Sequence, residues 1–119
     1  MMKDGTNIEQ RHIILVNFPF SDLSSSKKRP ALVISNSMFN KRSEDVVCCL
    51  ITSNIKDRDN SIDIANKDME TGYLEFNSKI KTYRIFTVNK NIIYRVLGKL
   101  NKEKSKLVET EIKKLMEIF

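Results

Sequence analysis

Two of the 119 residues, Arg29 and Thr52, have side chains that packing alone does not call for. Arg29 follows Lys27 and Lys28 where a polar stretch gives way to an apolar one, so its guanidinium can stand at a rim instead of in a core. Thr52 ends the apolar run Val46–Ile51, where valine would pack as well. Singly they read as a rim cation and a strand-end cap. The chemistry such groups support is the holding of phosphate oxygens, which a guanidinium matches in shape and charge. Other chemistries lack their residues. There is no Gly-rich phosphate loop, no Cys/His cluster with metal-ligand spacing and no nucleophile elbow. His12, the one histidine, opens an apolar strand in register with Ile14 and Val16 and reads as a core residue or an acid/base group. Cys48 and Cys49 are adjacent, which excludes a disulfide framework and a four-ligand zinc site, and they read as core thiols.

The elements that must position these residues are short. Residues 12–18 are apolar, rich in β-branched types and stopped by Pro19, predicting a strand. Residues 19–28, with three serines, read as a loop, and a second strand is expected over 29–35, where Pro30 calls for an early or edge position. One helical turn or an irregular connection falls in 36–44, and 45–53 form a strand buried on both sides. After a polar turn over 54–60, alternation predicts a short strand over 61–65 with one wet face, then a loop around Gly72. In the strand 79–88, period-two alternation sets Ile80, Phe86 and Val88 on one face and Lys79, Lys81 and Tyr83 on the other. A turn at 89–91 leads to a last strand over 92–99. Asn101 is the expected N-cap of a terminal helix, with Val108, Ile112, Leu115, Met116 and Phe119 near helical spacing. The pattern predicts a mainly β (α+β) chain: one small antiparallel barrel with a C-terminal helix, residues 1–10 forming a loose leading segment.

The net charge is +6, unevenly placed. Residues 43–78 hold three Lys and Arg against eight Asp and Glu, whereas residues 79–106 hold nine against one. Such a basic block is the footprint of a polyanion binder, and also of a lysine-rich solvated surface. The apolar runs are too short for a membrane-spanning helix, and the polar residues 1–10 do not form a signal peptide, so a cytoplasmic protein is expected.

Ile14-Leu-Val-Asn-Phe-Pro-Phe, Lys28-Arg-Pro-Ala-Leu-Val-Ile-Ser and Leu50-Ile-Thr-Ser, in this order, resemble the MazF/PemK toxins of type II toxin–antitoxin modules. Gly72-Tyr-Leu, Ser78-Lys-Ile-Lys, Ile85-Phe-Thr-Val-Asn-Lys and Leu97-Gly-Lys-Leu continue the resemblance over about residues 11–118. It implies an SH3-like barrel, a homodimer, and a ribosome-independent, metal-independent endoribonuclease without cofactor that cuts single-stranded mRNA. Products would be a 2′,3′-cyclic phosphate and a 5′-hydroxyl, and a cognate antitoxin would neutralise the enzyme. Arg29 and Thr52 stand at the family's catalytic positions. Lys28, Ser53, Lys79, Lys81 and Tyr83 are the expected RNA contacts.

Two departures bear on the general base. Many relatives begin the first strand with Gly followed by Asp or Glu, where this chain has Arg11-His12, and Tyr83 occupies a position at which some carry a carboxylate. Either His12 serves as the acid/base group, or positioning and electrostatics do most of the work. Alternatives are a gyrase poison of the CcdB type, against which the lack of Trp argues, and a non-catalytic SH3-like nucleic-acid-binding module.

Overall fold

The computed structural model describes residues 7–18, 27–54, 56 and 61–118. Among the described residues seven strands form one antiparallel sheet: β1 (His12–Phe18), β2 (Lys27–Val33), β3 (Asp45–Thr52), β4 (Ile62–Ile64), β5 (Met69–Gly72), β6 (Ser78–Asn89) and β7 (Ile93–Leu100). Their order across the sheet is β4-β6-β3-β2-β1-β7-β5. The edge strands β4 and β5 are consecutive in the chain, joined by the 3-10 turn Asn66–Asp68, so the sheet curls until its edges approach. Buried Asp68 fastens that closure. Its carboxylate accepts the Ala65 N–H at 2.8 Å and its carbonyl accepts the Asn101 N–H at 2.8 Å. Helices α1 (Ser37–Arg42) and α2 (Lys102–Leu115) complete the chain, and the Asn101 side chain caps α2 through the Lys104 N–H, as expected. The fold is the anticipated one, a mainly β curled barrel with a C-terminal helix.

The three central strands are buried on both faces. Ile14 and Val16 of β1, Ala31 and Val33 of β2, and Val46 and Cys48 of β3 enter one cluster with Val88, Ile93 and Ile8. Ile13, Leu32, Cys49 and Ile51 enter a second, on the other face, closed by Ile64, Leu74, Leu100 and Val108 of α2. Strands covered on both sides have no wet register, which explains the unbroken apolar runs Ile13–Val16 and Val46–Ile51. Burial pushes the thiols of Cys48 and Cys49 up to about 12, so they remain protonated packing groups at neutral pH.

Five local expectations change. The strand β5 lies where a loop around Gly72 was expected; its Met-Glu-Thr-Gly sequence has no apolar alternation, and backbone pairing with β7 makes it a strand. The strand β2 begins at Lys27, because pairing with β1 extends through Lys27 and Lys28, the end of the expected loop over 19–28; the rest of that loop, 19–26, lies outside the described residues. In β6, Cys49 pairs with Ile85 but Leu50 pairs with Lys81, so residues 82–84 bulge out and reset the alternation. Ile80 therefore faces the second cluster while Phe86 and Val88 face the first. Ile8 is buried in the first cluster, so the leading segment is held down at that point. On α2 the core contacts come from Val108 and Ile112, whereas Leu115 and Met116 are exposed; the Phe119 side chain lies outside the described residues.

One further constraint closes the barrel. Gly72 faces Gly98 across β5 and β7, and a Cβ added at Gly98 would lie 2.2 Å from the Thr71 carbonyl oxygen. Neither backbone can retreat without loosening the edge. Gly98→Ala should destabilise the fold by about 2 kcal/mol or more, lowering Tm by roughly 10 °C, as a thermal melt would register.

Candidate active site

The ladder between β2 and β3 pairs only Ala31–Val33 with Cys48–Leu50. It stops at Pro30, which has no N–H to extend it, although β2 stays paired to β1 on its other side through Lys27. The expectation of an early or edge position for Pro30 is met in a modified form: the strand is central, and Pro30 is where one of its edges opens. Carried two residues past the last pair, the same register sets Arg29 of β2 opposite Thr52 of β3. Opposed residues of an antiparallel ladder point to the same face. Arg29 shares that face with Ala31 and Val33, and Thr52 shares it with Val46 and Cys48, so both stand where the first cluster meets solvent.

The row continues across the sheet. Thr52 pairs with Lys79 of β6, and Lys79 pairs with Asp63 of β4. Thr52, Lys79 and Asp63 thus form one transverse line, each paired step about 4.8 Å between neighbouring strands, and Arg29 continues it across the unpaired end of the β2–β3 seam. Thr52 Oγ1 accepts the Asn54 N–H at 3.1 Å, which fixes the oxygen, and among the described residues its O–H donates to no protein group. Lys79 Nζ lies 2.6 Å from Asp63 Oδ1; the lysine side chain is 20% exposed and the aspartate 78%.

Of the other sequence-predicted residues, Lys81 stands opposite Leu50 on the same face but is buried, 3% exposed, not displayed in an open groove. The bulge turns Tyr83 over it: Lys81 Nζ donates to the Tyr83 hydroxyl at 3.1 Å, and Arg84 lies 5.9 Å from the same ring. Ser53 is exposed just beyond β3. Lys28 points to the face opposite Arg29, with its ammonium 4.7 Å from the centre of the Tyr94 ring. His12 is not brought to the row. It lies four residues from Val16, the partner of Arg29, or about 13 Å along β1. There it pairs with Lys99, and its Nδ1 accepts the Glu9 N–H at 2.9 Å, so the neutral ring carries its proton on Nε2. Asp63 is the member of the row that sequence reading did not single out. Alternation placed it on a wet face, but its pairing with Lys79 depends on a register that only the folded sheet reveals.

The family model for the PemK-like, MazF-like toxin of type II toxin–antitoxin systems matches residues 9–116. The chain belongs to this family. Its fold is similar to a MazE–MazF complex from Deinococcus radiodurans, with TM-score 0.74, 15% identity, and 93% of this chain and 97% of that chain covered. Toxin MazF-mt6 of Mycobacterium tuberculosis gives 0.71 at 16% identity, covering 92% and 99%. An endoribonuclease in complex with its cognate antitoxin from a mycobacterial species gives 0.71 at 15%, covering 92% of each chain. Comparison with curated proteins gives no match.

Burial, the largest influence, holds His12 below its usual 6.5, with Glu9 opposing and Lys99 and Arg11 adding to the depression. The unfolded chain therefore binds that proton first as pH falls. The stability that the neutral ring contributes is complete above 6.5 and is lost as pH drops from there towards the folded value. Glu9 and Glu70, held below 4.5 by Lys99 and Arg11 respectively, act only at lower pH. Urea unfolding midpoints should fall between pH 7 and 5 in the wild type. His12→Asn, whose Oδ1 can replace Nδ1 as acceptor, should flatten that decline.

Proposed function

We propose that this family member is a toxin endoribonuclease that cuts single-stranded RNA at the Arg29–Thr52 pair and is neutralised by a cognate antitoxin. The observation that carries the reading is the register across the open β2–β3 seam, which gives a guanidinium and an oriented hydroxyl one common face at a solvent boundary. RNA brings its own nucleophile. When the 2′-hydroxyl attacks the adjacent phosphorus, negative charge accumulates on the non-bridging oxygens. A guanidinium keeps its charge at any relevant pH and presents paired N–H donors to such oxygens, so Arg29 stabilises the charge that develops. Thr52 donates its O–H to a non-bridging oxygen. As a neutral hydroxyl it is no base. The 2′-oxygen–phosphorus bond forms, the phosphorus–5′-oxygen bond breaks, and the products are a 2′,3′-cyclic phosphate and a 5′-hydroxyl.

Around this pair, Lys79 supplies a cation for a neighbouring phosphate. Tyr83, held between Lys81 and Arg84, supplies a ring on which a base can stack, and exposed Ser53 lies just beyond the strand end. Proteins of similar fold form complexes with an antitoxin, and the basic segments of this chain suit an acidic antitoxin tail. Exposed Leu115, Met116 and Ile118 beyond the core-facing side of α2 offer an apolar surface for the second copy of a homodimer. No helix among the described residues is long and apolar enough to cross a membrane, which fits a cytoplasmic toxin.

Arg29→Ala should abolish cleavage of a long RNA while leaving the melting temperature near the wild-type value. Thr52→Val removes the hydroxyl at constant shape and should slow single-turnover cleavage by about 10²–10³, the usual effect of losing one oxyanion donor. Full activity in Arg29→Ala overturns the assignment.

A further inference from the structure

We propose that Asp63 is the general base that takes the proton of the attacking 2′-hydroxyl. This rests on the nuclease reading above and names the one group that reading leaves without an owner. His12 stands at the far end of β1, and Tyr83 hangs over a buried ammonium, donating no carboxylate to the site. The line across the sheet does contain one: Arg29 and Thr52 at one end, Lys79 in the middle, Asp63 at the other. Thr52 and Asp63 are two strands apart, about 10 Å between backbones, which leaves room for a phosphodiester on the Arg29–Thr52 side and the attacking ribose on the Asp63 side.

Exposure and charge favour the same assignment. The Asp63 side chain is 78% exposed, and the Lys79 ammonium holds Oδ1 at 2.6 Å, so the carboxylate is oriented with Oδ2 left to accept a proton. The hollow beside it is lined also by Lys67, Asp68 and Lys104. Asp68 cannot take the role, because it is buried and its carboxylate already accepts the Ala65 N–H. In the reaction the O2′–P bond forms and the P–O5′ bond breaks. The 2′-hydroxyl proton passes to Asp63, and the leaving 5′-oxygen takes a proton from solvent water. Lys79, beside its phosphate role, holds Asp63 in place.

The test is the pH dependence of single-turnover cleavage of one RNA by wild type, Asp63→Asn, Asp63→Glu and Arg29→Ala, over the pH range in which circular dichroism shows each folded. The wild-type rate should fall tenfold per pH unit on its acid limb. Asp63→Asn should be slower by about a hundredfold or more at neutral pH and should lose that acid limb, the usual scale of a general base. Asp63→Glu should recover part of the rate and the limb together. The assignment is overturned if Asp63→Asn cleaves at a rate close to that of the wild type, or if it is slow but keeps the acid limb, since a structural loss would leave the titration in place. With Arg29→Ala silent, either result removes Asp63 alone. An RNA left uncut by the wild type removes the nuclease reading and Asp63 with it.

Discussion

Proline has no amide hydrogen, and the arrangement of the site follows from where that absence falls. At Pro30 the ladder between β2 and β3 ends although both strands continue, so two strands that are zipped through their apolar middles part at one end. The parting occurs where Arg29 and Thr52 stand. Were the ladder continued, the same side chains would close against each other as an ordinary strand pair. Register supplies the rest. In the middle of β1, β2 and β3 a slip of one residue would exchange apolar side chains for apolar ones, because both faces are covered. At the ends it would turn Lys28 and Ser53 towards the row in place of Arg29 and Thr52. The bulge at residues 82–84, the Gly72–Gly98 contact and the capped turn at Asp68 pin the register that apolar burial alone leaves loose.

Much of this was legible in the sequence because it is local. Strands β1 and β3, the cap at Asn101 and the burial of Cys48 and Cys49 follow from composition and short-range pattern. What was not legible is long-range. β5 has no apolar period, since its existence depends on the backbone of β7, so residues 69–72 read as a loop. The bulge in β6 has no punctuating Gly or Pro, and period-two counting carried through it put Ile80 on the wrong side. Lys81 followed the same count: it was placed opposite Phe86 and Val88 but stands on their face, buried beneath Tyr83. Arg11 is the reverse case. Its φ of 78° is a conformation that favours glycine. Here the guanidinium compensates by donating to the Leu100 carbonyl at 2.8 Å and pairing with Glu70 at 3.0 Å.

The charge division of the chain also takes a more definite shape in the fold. Asp63 belongs to the acidic segment 43–78 and Lys79 opens the basic one, yet the sheet sets them side by side. The uneven distribution is therefore more than a basic coat with an acidic interruption. It brings one carboxylate into line with two cations and a hydroxyl.

The most direct measurement is incubation of the purified protein with a long single-stranded RNA in EDTA, followed by mapping of the new 5′ ends and their chemistry. Discrete cuts that leave 5′-hydroxyls and 2′,3′-cyclic phosphates are the predicted result. Intact RNA, or cuts that appear only with added metal and leave 5′-phosphates, would contradict it.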